Sequence, residues 1–120
     1  MNREIKFRAW SKATEKMMDW DFIKSHGNLN KLLCLGHVEV MQFTGLTDKN
    51  GKEIYKGDIV KYYLPYTPPD GSEDVIEEYV EQVDYLDGCF WVETVPLYCT
   101  LDWQAEVIGN IYENPKLLWK

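Results

Sequence analysis

The chain has 120 residues, a formal net charge of -7 and 45% hydrophobic residues. This length is enough for one domain with its own core, and no apolar run approaches the roughly 20 residues that cross a bilayer. The N-terminus lacks the apolar region of a secretory signal, and three irregularly spaced cysteines favour a reducing cytoplasm over a disulfide framework. We therefore predict one cytoplasmic domain over residues 1–120, with no membrane partner and with a subdivision after residue 37 left open.

The charge is divided along the sequence. Residues 1–61 hold eleven Lys or Arg against eight Asp or Glu, whereas residues 62–115 hold twelve Asp or Glu and no Lys or Arg. Such segregation bears on partners and solubility rather than on the core. A solvated acidic loop and strand face is the simplest interpretation. The alternative is an acidic surface that meets a basic partner or imitates nucleic-acid phosphates, and its candidate residues are Asp70, Glu73, Asp74, Glu77 and Glu78.

Residues 3–10 alternate between two faces, as a half-buried strand does. Ile5 and Phe7 are predicted to face the core, so Lys6, Arg8 and Trp10 share the opposite side. Two cations beside an indole can hold a phosphate and stack a base, which makes these three residues candidates for nucleic-acid binding. A solvated face with Trp10 packed under a loop is the simpler interpretation, and the net acidity does not favour broad affinity for nucleic acid.

Residues 11–16 are polar and predict a turn, and the apolar residues that follow, from Met17 to Ile23, predict a second strand. The best-specified stretch is residues 42–60. Its Asn50-Gly51 dipeptide predicts a type I′ hairpin turn, and a second turn at residues 57–58 leads into another strand.

Two groups of residues are spaced like metal ligands. Neither completes a site, because zinc needs four ligands in paired knuckles and a calcium loop needs a glycine and a closing glutamate at fixed positions. We therefore predict no metal, and no motif indicates a cofactor. The zinc-like group is His26, Cys34 and His37, and the calcium-like group is Asp48, Asn50 and Glu53.

Residues 63–78 are rich in proline and glycine and predict an exposed loop. The apolar positions from Val75 to Leu86 follow a helical spacing, but the same region also fits a hairpin with Asp87-Gly88 at its turn. The β-branched and aromatic residues at 89–95 favour the hairpin. Near the end, Gly109 predicts a bulge or a close backbone approach, and Asn114-Pro115 predicts a short helical turn.

Three blocks stand out: KFRAW at residues 6–10 with MM at 17–18, the stretch 42–60, and VIGNIYENP at 107–115. In this order they resemble the YopX family of small phage and prophage proteins, and together they cover nearly the whole chain. The resemblance implies a mainly β domain of bacteriophage or prophage origin, and it supplies no reaction or catalytic residue. Short strands joined by tight turns predict a small SH3-like barrel or pseudo-barrel of antiparallel strands and hairpins, with a short C-terminal helical turn.

No catalytic set is evident. Both histidines lie within residues 25–37, and no nucleophile, phosphate-loop or metalloprotease motif is present. We predict a non-enzymatic binding module that acts on a host or phage macromolecule, with nucleic-acid binding and acidic DNA mimicry as alternatives. Thr44, Asp58 and Asn110 are predicted to be structural, with Asp58 and Asn110 fastening turns, and they are the first candidates for a site otherwise. Edge strands and exposed aromatics permit a homo-oligomer.

Overall fold

The computed structural model describes residues 5–26, 36–86, 88–93 and 95–119. Strands dominate the described residues, with two short α-helices and two 3₁₀ turns, Leu101–Trp103 and Pro115–Leu118. In chain order the elements are β1 (Phe7–Ser11), β2 (Lys16–Met18), α1 (Trp20–His26), β3 (Val38–Thr47), β4 (Glu53–Tyr55), β5 (Asp58–Tyr66), β6 (Val75–Leu86), β7 (Cys89–Val92), β8 (Val95–Pro96), α2 (Leu97–Thr100) and β9 (Glu106–Asn110).

The described strands form two antiparallel sheets, in the orders β2-β1-β3-β4 and β8-β7-β6-β5-β9, one of which curls into a half-barrel. β1 pairs with both β2 and β3, so strands on either side of residue 37 belong to the same sheet. The predicted mainly β fold is confirmed. Within the described ranges, no helix has the length and apolarity to span a membrane.

A continuous apolar core joins the larger sheet to β4 and α2. Alternate residues of β5, Val60 and Tyr62, face it, because side chains in a strand alternate between the two faces. The Tyr62 ring stacks on Tyr79 and on Trp103, with ring centroids 5.4 and 5.9 Å away. The buried members are Ile54, Val60, Tyr62, Val83, Phe90, Val92, Leu97, Ala105 and Val107.

The turn between β3 and β4 differs from the predicted type I′ turn. Gly51 has positive φ (+80°) and Asn50 does not. The N–H of Gly51 donates to the carbonyl of Asp48 (3.0 Å), and the N–H of Asp48 donates to the carbonyl of Lys52 (2.8 Å). The type I′ prediction was wrong because a longer loop with one left-handed glycine closes this hairpin.

The predicted second strand at residues 17–23 is also corrected. Its strand part ends at Met18, and α1 begins at Trp20. The Asp19 carboxylate accepts a hydrogen bond from the N–H of Phe22 (2.8 Å). This is the N-cap arrangement, which satisfies a free amide of the first helical turn.

The predicted loop over residues 63–78 is shorter in the structure. β5 and β6 pair as far as Tyr66↔Val75, so the connection is confined to residues 67–74. The prediction was wrong at the first end because Pro65 is compatible with a strand, and at the second end because β6 already begins at Val75. Proline is tolerated where its missing N–H would face away from the neighbouring strand.

The hairpin prediction for the following residues is confirmed. β6 pairs with β7 from Val83↔Val92 onward, so the helix-like apolar spacing between residues 75 and 86 belongs to a strand. Gly88 has positive φ (+81°), as a tight turn requires. Its predicted turn partner, Asp87, lies outside the described residues.

Gly109 makes both the bulge and the close approach that the sequence predicts. Ile59 pairs with Gly109 and Val60 with Val107, so Ile108 is an extra residue on β9. A Cβ at position 109 would lie 2.6 Å from Oδ1 of Asn114 and 2.9 Å from its Cβ.

We predict that Gly109→Ala lowers the free energy of unfolding by about 1–3 kcal/mol, because the added methyl overpacks this contact. Thermal denaturation followed by circular dichroism would then show a midpoint several degrees lower. Gly36→Ala is the matched control, since a Cβ at Gly36 meets nothing within 4 Å. Equal midpoints for the two variants would contradict the prediction.

Candidate functional site

Thr44, Asp58 and Asn110, the polar residues of the apolar sequence blocks, are all buried. The Thr44 hydroxyl donates to the carbonyl of Ile54 (2.7 Å) and accepts from the N–H of Leu46 (3.2 Å). Its hydroxyl therefore fixes the pairing of β3 with β4, and its hydrogen-bonding groups are used inside the fold.

Asn110 fastens the turn after β9. Its Oδ1 accepts from the N–H groups of Tyr112 (3.0 Å) and Glu113 (2.8 Å), and its Nδ2 donates to Oε1 of Glu113 (2.9 Å). Asn110 also lies opposite Asp58 in the pairing of β9 with β5. The predicted role in a turn agrees with these bonds.

Asp58 lies at the contact between the two sheets and is 1% exposed. Its Oδ1 forms an ion pair with Nη2 of Arg8 from β1, and its Oδ2 accepts from the N–H of Tyr55 in β4 (2.8 Å). The Arg8 guanidinium carbon lies 4.6 Å from the centre of the Tyr55 ring. Three elements of two sheets thus meet at one carboxylate.

Two effects act in opposite directions on the protonation of Asp58. Burial raises the pKa of this carboxyl, while the charge of Arg8 and the amide of Tyr55 favour its ionised form. The ion pair compensates part of the cost of removing two charges from water. We interpret Arg8 and Asp58 as a structural pair.

The other two residues of the predicted basic face are also engaged within the chain. Lys6 forms an ion pair with Glu53, and its Nζ lies 4.8 Å from the centre of the Phe43 ring. Trp10 stacks on Tyr112 with 5.9 Å between ring centroids. The side chains of Lys6, Arg8 and Trp10 are therefore covered by other parts of the chain. Ile5, which the alternation predicts to face the core, is instead 66% exposed.

Asp48, which the sequence placed only in an incomplete calcium-like group, is a second link between the sheets. Its Oδ1 accepts from the N–H groups of Asn50 and Lys52 (both 2.9 Å), and its Oδ2 accepts from the N–H of Val107 in β9 (2.8 Å). Burial would raise the pKa of Asp48, but these three amides lower it below its ordinary value. An Asp at the start of a turn was the available signal.

The structure describes only some of the residues that are spaced like metal ligands. Cys34 and the side chain of His26 lie outside the described ranges. Among the described residues, no three His, Cys, Asp or Glu side chains are grouped so that they could hold a metal ion.

The five acidic candidates lie on one structural unit, residues 62–80, which we call the acidic arm. It consists of β5 from Tyr62 to Tyr66, the 67–74 loop and β6 from Val75 to Val80. Asp70, Glu73 and Asp74 lie in the loop, and the neighbours Glu77 and Glu78 point to opposite faces of β6. The arm is therefore acidic on both faces and at its tip.

Local hydrogen bonds order the carboxylates of the acidic arm. Asp70 accepts from the N–H of Ser72 (2.9 Å). Hydrogen bonding by the Ser72 side chain, and then by its backbone N–H, lowers the pKa of Asp70. Asp74 accepts from the hydroxyl of Thr67 (2.7 Å). The loop between the strands is thus held by its own side chains, as Asx turns are.

A buried polar contact lies at the base of the acidic arm. The Tyr62 hydroxyl donates to Glu81 within the stack of Tyr62, Tyr79 and Trp103. Burial, and then the neighbouring Glu81 carboxylate, raise the pKa of Tyr62 above its ordinary value. This contact fixes the two strands of the arm to the core.

Comparison with known proteins places the chain in a family. The family model described as YopX protein matches residues 6–119. The chain belongs to the YopX family. The fold is similar to that in the crystal structure of protein EF1440 from Enterococcus faecalis, with 27% sequence identity, a TM-score of 0.68, and coverage of 98% of this chain and 99% of that one. No curated protein matches the sequence.

For this YopX domain we predict that Asp58→Asn costs about 3–5 kcal/mol of stability, because it leaves the buried Arg8 charge without its partner. The double variant Arg8→Met with Asp58→Asn should cost less than the sum of its single variants, since the pair is then removed together. Urea unfolding measures all three. Additive losses would show that the two residues act independently. Lys12→Gln is the control, because it breaks an exposed pair with Glu39 that is worth about 1 kcal/mol or less.

We predict a pH-dependent stability from Asp48. Its folded-state pKa is lowered, so its contribution is present above the unfolded pKa of about 3.9 and is lost as pH falls through the folded pKa. Asp48→Asn should remove about 1–3 kcal/mol at neutral pH and flatten the decline in acid. Unfolding free energies over a pH series test this. The exposed Asp102→Asn should leave the profile unchanged, and a wild-type slope in Asp48→Asn would contradict the prediction.

Proposed function

We propose that this YopX domain is a non-enzymatic binding module whose acidic arm engages a basic surface of a host or phage protein. The observation that carries the proposal is the arm itself. It gathers five carboxylates on a two-stranded ribbon within a stretch, residues 62–115, that has no Lys or Arg. Bacteriophage or prophage origin and action in the bacterial cytoplasm belong to the proposal and rest on the sequence.

The position of the acidic arm makes it accessible. Among the described residues, β9 pairs with Asp58–Lys61 and β7 pairs with Val83–Leu86. The strands of the arm therefore extend beyond both neighbouring strands. Tyr66, Val75 and Ile76 are exposed near its tip, which adds apolar contact area to the charge.

The charge of the acidic arm suits a basic protein. A surface of one sign steers an oppositely charged partner and repels like-charged ones. Glu77 and Glu78 lie on opposite faces of the ribbon and the other three carboxylates lie in its loop, which differs from the single row that would imitate a phosphate backbone. The arrangement supports a protein contact with basic side chains more than it supports DNA mimicry.

The buried polar residues support a non-enzymatic role. Thr44, Asp58 and Asn110 spend their hydrogen-bonding groups on the backbone, on Arg8 and on the Glu113 carboxylate. A cavity of about 260 Å³ lies beside the ion pair of Lys6 and Glu53. Among the described residues, its lining contains none of these three polar side chains.

Nucleic-acid binding through β1 has less support. The Lys6 and Arg8 side chains are 14% and 13% exposed and paired with carboxylates, and Trp10 is stacked on Tyr112. A phosphate would have to displace these internal contacts before it could gain its own.

We predict that the full chain, immobilised and exposed to a bacterial lysate, captures a basic protein in stoichiometric amount. Titration with the purified captured protein should then show an affinity that falls as salt rises, because exposed charges are screened. The variant Glu73→Gln, Asp74→Asn, Glu78→Gln should bind roughly tenfold more weakly, which corresponds to about 1.4 kcal/mol.

The matched control carries the same change in net charge away from the arm: Glu15→Gln, Asp19→Asn, Asp21→Asn, where Asn at position 19 can still cap α1. All three residues are exposed, and we expect wild-type affinity. Equal losses in the two triple variants would mean that net charge, and not the arm, determines binding. Absence of a captured protein, or a catalytic turnover instead, would overturn the proposal.

A further inference from the structure

The outer edge of β6 within the acidic arm is a strand edge without a neighbour in the described structure. β7 begins to pair with β6 at Val83, and no backbone hydrogen bond among the described residues joins Val75–Val80 to anything outside the pairing with β5. Such an edge presents a row of N–H and C=O groups that another strand can extend.

The register shows which groups face outward. In an antiparallel strand, the N–H and C=O of one residue point to the same side, and successive residues alternate. The Val83 carbonyl accepts from the N–H of Gly57 (2.9 Å), on the side of β5. Counting back by twos, Glu81, Tyr79 and Glu77 also direct their backbone groups toward β5. The residues between them, Ile76, Glu78 and Val80, therefore direct theirs outward.

Pro65 gives an independent check on this register. It lies opposite Ile76 and has no N–H, so it fits a position where neither residue of the pair bonds to the other strand. The alternation from Val83 and the placement of Pro65 thus agree that the backbone groups of Ile76 point away from β5.

The negative charge around this edge favours pairing with a basic strand. Glu77 and Glu78 lie in the edge segment, with Glu73 and Asp74 just before it, and no cation stands between residues 62 and 115. Two copies of β6 paired edge to edge would bring carboxylates opposite each other, which is destabilising. A strand with Lys or Arg at alternate positions would instead place opposite charges across the pair.

We infer that an extended basic segment of the partner protein adds to β6 as a new strand and bonds to the outward backbone groups of Ile76, Glu78 and Val80. The exposed side chains of Val75 and Ile76 supply apolar contact at the end of this edge. This inference rests on the proposed function, because it specifies how the acidic arm holds its basic partner.

Amide hydrogen exchange tests the register. The probe is a short peptide that alternates lysine with valine, compared with one that alternates glutamate with valine. The amides of Ile76, Glu78 and Val80 should exchange rapidly in the free chain and roughly tenfold more slowly with the lysine peptide, while those of Glu77 and Tyr79 are slow throughout. No added protection at the three outward amides, or equal protection by both peptides, would overturn the inference.

Two variants at position 78 distinguish the contribution of the backbone hydrogen bond from that of the carboxylate charge. Glu78→Gln removes the carboxylate and keeps the N–H, whereas Glu78→Pro also removes the outward N–H and leaves the bonds to β5 in place. We expect Glu78→Pro to bind the lysine peptide and the captured protein roughly tenfold more weakly than Glu78→Gln. Equal thermal midpoints for the two would establish that both are folded.

The outcomes separate this inference from the proposed function. Suppose that Glu78→Pro binds as well as Glu78→Gln, while the arm triple variant (Glu73→Gln, Asp74→Asn, Glu78→Gln) loses affinity. Strand addition is then wrong, and the binding role of the arm stands. If the arm triple variant also keeps full affinity, both strand addition and the proposed function are wrong. A wild-type dimer in solution that Glu78→Pro converts to a monomer would assign the edge to a second copy and overturn the choice of a basic partner.

Discussion

The ion pair between Arg8 and Asp58 is the contact on which the arrangement of the two sheets depends. Arg8 comes from β1 of the smaller sheet, and Asp58 begins β5 of the larger one. The same carboxylate receives the amide of Tyr55, so it also fixes the short turn between β4 and β5. A charge at a site that is 1% exposed is tolerated because both of its oxygens have donors.

Asp48 complements that pair from the other end of β4. It holds its own turn and the first residues of β9 at once, and beside it the N–H of Lys49 donates to the carbonyl of Ala105 (3.0 Å). Two carboxylates with wholly satisfied oxygens thus join the sheets at two points. With the sheets fixed in this way, the acidic arm is held at its base.

The sequence predicts local structure well and long-range polar contacts poorly. Alternation and turn chemistry identified β1, the hairpin of β6 and β7, and the turn held by Asn110, because each is encoded by neighbouring residues. Nothing local connects Arg8 to a residue 50 positions away, or Asp48 to Val107, which is 59 positions away. The period-two pattern placed Arg8 on a solvent face, since it contains no information about which segment covers that face.

The carboxylates of the acidic arm also bear on colloidal behaviour. The edge of β6 at Val75 and Ile76, which pairs with no other strand in the described part of the chain, is a template for intermolecular cross-β growth. Like charge keeps such edges apart. That protection depends on ionisation and weakens as the solution approaches the sequence isoelectric point of about 4.8. In mild acid, this edge is therefore the place where we expect fibrous association of the protein to begin.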